Sequence, residues 1–145
     1  MGKLENKYII GTIGYEYFGF DITKVTSVVD MKHITRVPYV QSYILGVINL
    51  RGLVIPVMSL RKKMEMQEIE DMRNSKIVIV KPAEQDEMGI IVDEVKKVAE
   101  ITDISSRKIV SNDEFEKYIF GIGKYEDKLI SIINIDSIVE KQEED

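Results

Sequence analysis

Residues 44–60, ILGVINLRGLVIPVMSL, place two nearly unbroken apolar runs on either side of Asn49-Leu50-Arg51-Gly52. Short β-branched runs bounded by turn formers predict strands rather than a buried helix, and glycine accepts positive φ at no steric cost. The segment is therefore expected to be a β-hairpin turning at Arg51-Gly52. Its arms are apolar at almost every position instead of alternate ones, so both faces need cover, from this chain or from another protein. Pro56 has no N–H for a ladder and predicts an edge strand or a bulge in the second arm.

The same patterns divide the rest of the chain. Residues 7–13 and 17–20 are β-rich and separated by Gly14-Tyr15-Glu16, which predicts a first hairpin. Asp21 is placed to cap one helical turn before the β-branched run 25–29. Residues 33–42, with Pro38, read as a connection; 61–72 favour a short helix with a frayed charged end, and 135–141 a closing helix with Asp136 as cap.

The second half repeats the first. Phe18-Gly19-Phe20-Asp21-Ile22-Thr23-Lys24-Val25 aligns with Met88-Gly89-Ile90-Ile91-Val92-Asp93-Glu94-Val95, and 54–60 with 129–135. Each half then holds about five strands in one order, too few to bury a good core alone, so the two units are expected to pack face to face. Ile22, Val25 and Val28, with their counterparts Val92, Val95 and Val98, would line the seam, either as a groove for another protein's helix or as filling of the core between the units. The halves differ most at the tips: Tyr125-Glu126-Asp127 replaces Leu50-Arg51-Gly52. Binding residues concentrate on loops held by a rigid frame, which makes Arg51 a functional candidate.

Composition narrows the chemistry. The 145 residues carry a formal charge of -5 and end in the acidic stretch 141–145, which disfavours nucleic acid as the main partner. Cysteine is absent, which removes thiol catalysis and thiolate metal sites and makes a cytoplasmic address the simplest expectation. No phosphate-cradling loop, dinucleotide fingerprint or zinc-binding spacing occurs, and the single histidine, His33, lies in a polar connection. Neither a signal peptide nor an apolar run of membrane-spanning length is present, and no cofactor or metal is expected. Asp86-Glu87 and Asp113-Glu114 read as solvated loop charges. A binding protein is expected, not an enzyme.

Residues 17–29 (YFGFDITKVTSVV), 46–60 (GVINLRGLVIPVMSL) and 89–99 (GIIVDEVKKVA) carry a resemblance to the CheW-type chemotaxis coupling proteins. The most specific element is the pattern G-V-x-N-L-R-G-x-x-x-P. The resemblance implies an all-β fold: two SH3-like five-stranded β-barrels packed about a shared hydrophobic core, with short helices. It implies one domain over 4–140, with pseudo-symmetric halves of about 6–72 and 75–140, exchange of strands at the boundary left open, and the tail 141–145 outside it.

The function implied is that of a non-enzymatic adaptor between chemoreceptor cytoplasmic tips and the regulatory domain of a CheA-type histidine kinase. Carried over by position, the receptor groove falls on Ile9, Ile22, Val25, Val28 and Val95. The coupling turn comprises Gly46, Asn49, Arg51 and Gly52, and a kinase-facing surface includes Ile34 and Val37. Ser27 departs from the glutamate that many members carry, which puts an acidic receptor contact at that spot in doubt. The alternatives are a CheW-like regulatory module of a larger scaffold or kinase and, from another class, a small-barrel binder of nucleic acid or oligosaccharide.

Overall fold

The computed structural model describes residues 6–38, 40–69, 71–105 and 117–140; the tail 141–145 and Asp113-Glu114 lie outside them. The first half contains β1 (Lys7–Ile13), β2 (Glu16–Asp21), a 3-10 turn (Ile22–Lys24), β3 (Val25–Asp30), β4 (Ile44–Leu50), β5 (Leu53–Ser59) and α1 (Leu60–Lys63). The second contains β6 (Lys76–Val80), β7 (Met88–Val92), β8 (Glu94–Glu100), β9 (Ile104–Ser105), β10 (Ile119–Tyr125), β11 (Lys128–Ile133) and α2 (Ile135–Ile138). The fold is all-β with short helices, as the sequence predicts.

The two sheets do not follow the two halves of the chain. One has the order β8-β1-β2-β11-β10-β9, the other β3-β6-β7-β5-β4, so each half sends its leading hairpin into the other half's sheet. Parallel ladders weld the exchanged hairpins in place, Ile132 opposite Gly19 in one sheet and Val57 opposite Gly89 in the other. These are equivalent positions of the repeat. The chain closes each sheet the same way: beyond β3, Thr35 bridges to Val47 of β4, and beyond β8, Ser105 pairs with Ile122 of β10.

Strands with apolar residues on both faces are accounted for by three cores. In β6, Ile77 and Ile79 point into one barrel with Ile48, Ile55 and Val57. Val78 and Val80 point the other way, into a shared core with Ile9, Phe18, Phe20, Met58 and Ile133. Tyr8, Ile10, Ile130 and Ile132 fill the second barrel. Alternation is present but both directions are buried, which is why the sequence shows continuous apolar runs.

Three local expectations are corrected. β5 is an interior strand, between β4 and β7, not an edge, and the bulge in its ladder with β4 lies in the first arm, between Ile44 and Gly46. Pro56 is tolerated because the parallel ladder to β7 begins only at Val57, while in the second half it begins at Ile130, two positions earlier in the repeat. The helix expected over 61–72 is one turn long: Met64 and Met66 still pack against the shared core, but residues 67–69 beyond them are exposed and offer no further face to bury. The closing helix likewise ends at Ile138 and is capped by Asn134, whose Oδ1 accepts from Ser137 N, not by Asp136.

Candidate protein-interaction site

The hairpin β4–β5 turns on two residues. Leu50 and Leu53 close the ladder, and Arg51 and Gly52 both adopt positive φ, 54° and 81°, the geometry of a type I′ turn. Asn49 supports it, its Oδ1 accepting from Gly52 N at 3.2 Å. The arginine is thereby held out on a left-handed backbone. Among the described residues it has neither a hydrogen bond nor an ion pair, and it is exposed. Beside it Leu53 and Val54 are 57% and 66% exposed. The equivalent turn has Glu126 and Asp127 in the same conformation, so the repeat keeps the turn and reverses the charge.

Gly46 belongs to the same strand but not to the same surface. It lies five positions from Arg51, roughly 17 Å along a strand, at a bulge where β4 meets the segment bridged through Thr35. A Cβ there would stand 2.1 Å from the Thr35 carbonyl oxygen and 2.8 Å from Ile34 Cγ2. Ile34 is half-buried against the first barrel's core, and Val37 is exposed.

Of the residues expected at the groove, Ile22, Val25 and Val95 converge: each is half-buried against the shared core. Ile9 belongs to that core and is 7% exposed, so it supports the surface from beneath. Val28 and Val98 turn outward, 37% and 50% exposed, whereas Val92 is fully buried. The seam therefore contains both readings the sequence left open. Ser27 follows a bulge in β3, and the bulged Thr26 donates through Oγ1 to Glu87 Oε2 at 2.6 Å. An acid from a different hairpin is thus held by Thr26, the residue before Ser27.

Two clamps missed by sequence reasoning fix the junctions around this surface. Arg61 of α1 meets Asp93 at 2.7 Å, and the same carboxylate oxygen accepts from Gly14 N in the β1–β2 turn. Asp136 of α2 meets Lys24 at 2.6 Å, and its other oxygen accepts from Ala83 N in the β6–β7 turn. The clamps start from equivalent helix positions and end one position apart in the repeat, with opposite polarity: helix cation to junction carboxylate in one, helix carboxylate to junction cation in the other. The repeat signals them, since Arg61 falls on Asp136.

The hydrogen bond and charge of Lys24, with the Ala83 amide, hold the Asp136 carboxyl below its ordinary range. Its contribution is complete above the unfolded value of about 3.9 and is lost as pH falls through the folded value. The better-buried Arg61–Asp93 pair dominates. Arg61→Met is expected to cost about 2 kcal/mol, leaving Asp93 half-desolvated, and Lys24→Met less than about 1 kcal/mol. Urea melts of the two variants at neutral pH check the order; equal losses would refute it.

A closed pair of barrels with an exposed cation and apolar residues on one hairpin tip, and an apolar shelf over the shared core, has the surfaces of a module that binds other proteins. Residues 7–143 match the CheW-like domain, and the chain belongs to that family. It is 34% identical over 143 residues to the chemotaxis protein CheW of Bacillus subtilis, covering 97% of this chain and 90% of that protein. The corresponding protein of Klebsiella aerogenes is 30% identical over 142 residues, covering 94% and 83%. Among solved structures, the scaffolding protein TtCheW from Thermoanaerobacter tengcongensis superposes with a TM-score of 0.83 at 34% identity, over 93% of this chain and 88% of that one. No helix among the described residues is long and apolar enough to cross a membrane.

Proposed function

We propose that the chain is a non-enzymatic chemotaxis adaptor of the cytoplasm that joins a chemoreceptor's cytoplasmic tip to the regulatory domain of a CheA-type histidine kinase. The observation that carries this reading is the family match over nearly the whole chain, combined with two separate partly apolar surfaces on one interlocked body. A receptor helix laid along Ile22, Val25, Val28 and Val95 would bury apolar area over the shared core, with Ile9 as its floor. Glu87 would supply the acidic contact that Ser27 does not. Ile34 and Val37, beside the bulge at Gly46, form the kinase-facing candidate. Two ligands on one rigid frame couple only through the geometry the frame imposes, which is the work of an adaptor.

Binding measurements with a receptor-tip fragment and a kinase regulatory domain test the reading. Both are expected to bind, separately and together. Glu87→Gln is expected to weaken the receptor fragment alone. Absence of binding to either partner would overturn the proposal.

A further inference from the structure

Lys63, the last residue of α1, is 6% exposed, and among the described residues no hydrogen-bond acceptor lies within reach of its Nζ. The nitrogen instead sits 3.8 Å from the ring centre of Tyr43 and 5.1 Å from that of Tyr118. These tyrosines are equivalent in the repeat: the Tyr43 carbonyl accepts from Ser59 N and the Tyr118 carbonyl from Asn134 N, each at 2.8 Å, and Ser59 and Asn134 cap the two helices. One precedes β4 and the other β10, so the ammonium is held between rings contributed by the two sheets, within the shared core.

The fold does not require a cation there. The residue at the same place in α2 is Ile138, fully buried in the same core. An ammonium without a hydrogen-bonding partner loses more hydration free energy than two ring faces return. Such a group is retained at a cost that an isoleucine would not impose, and its charge is the only thing it adds.

We propose that Lys63 is a proton-controlled latch between the two sheets: its ammonium draws the Tyr43 and Tyr118 rings together, and loss of the proton releases them. The proposal stands independently of the adaptor role. Among the described residues the charged groups facing the amine are few. Lys117, beside Tyr118, disfavours its charge and Glu140, after α2, favours it; on its own helix Arg61 and Lys62 are engaged by Asp93 and Glu68. Burial is the largest influence and, with Lys117, brings the amine from 10.5 down to about 8.

The linkage has a definite sign. Between the folded and unfolded values the unfolded chain binds the extra proton, so stability rises with pH across this window and is level on either side. A displacement of this size corresponds to a rise of roughly 300-fold in the folding equilibrium constant. The difference between the parent and Lys63→Met, read from denaturant melts between pH 7 and 11, isolates this contribution from other groups.

An NMR titration of the intact chain gives the direct test. The Lys63 side chain is expected to titrate near pH 8, and the ring signals of both tyrosines to shift with that same midpoint. Lys63→Met should abolish the shared step. Lys63→Arg, charged throughout, should keep the rings in their low-pH positions, and it preserves the test if the methionine variant does not fold. Titration of Lys63 together with the surface lysines, or a step at one ring only, would overturn the latch.

Discussion

Arg51→Glu is expected to give a protein that melts like the parent and no longer couples receptor to kinase. The guanidinium has no partner among the described residues, so its removal breaks no internal contact. The backbone conformation it must adopt is one that glutamate already adopts at Glu126, the equivalent position, with φ of 48°. Reversal of charge beside the exposed Leu53 and Val54 changes the sign of the field a partner meets while leaving the turn intact. Two measurements check this: thermal melting, where a shift of only a degree or two is expected, and receptor-controlled kinase activity in a reconstituted mixture, where control should fall at least tenfold. A variant that unfolds would make Arg51 a structural residue.

Gly46→Val has the opposite signature. Its Cβ would overlap the Thr35 carbonyl at 2.1 Å, and its φ of 150° is unfavourable to any side chain. The nearest obstacle is the Thr35 backbone, at the point where the bridge between Thr35 and Val47 closes the first barrel, so no rotamer relieves it. The expected loss exceeds about 4 kcal/mol, a large part of a typical domain's stability, and the variant should be largely unfolded or insoluble at 37 °C. Gly52→Ala sets the scale: it has the same handedness of φ but open space around the new methyl, and about 1 kcal/mol should be lost. Circular dichroism and urea melts distinguish the two, and comparable stability of both variants would refute the assignment. A coupling defect at Gly46 would then trace to the frame and one at Arg51 to the surface.

The sequence disclosed what is local. Turn chemistry locates the hairpins, Asp21 is recognisable as the cap of the 3-10 turn, and the repeat marks Gly19 and Gly89 as equivalent positions. The exchange of hairpins was not readable, because strands β1 and β6 carry the same two-faced apolar pattern whichever sheet receives them. Pro56 misled because the rule on proline concerns a missing donor, and the neighbouring strand makes no demand on that donor until Val57. The helix over 61–72 was overstated since propensity counts residues and burial selects them. Lys63 and the two clamps depend on partners distant in sequence. Only extending the repeat a few residues past Leu60, where a lysine meets an isoleucine and an arginine meets an aspartate, would have marked them.

The exchanged hairpins also constrain how the protein is made. β1 and β2 emerge first during synthesis, yet the strands that flank them, β8 and β11, come later, and Gly19 waits for Ile132, more than a hundred residues downstream. A nascent chain therefore carries an unpaired apolar hairpin until almost the last strand has left the ribosome. High contact order of this kind slows folding and prolongs the exposure of strand edges. The interlock that makes the mature adaptor one body leaves its unfinished chain open to wrong pairings.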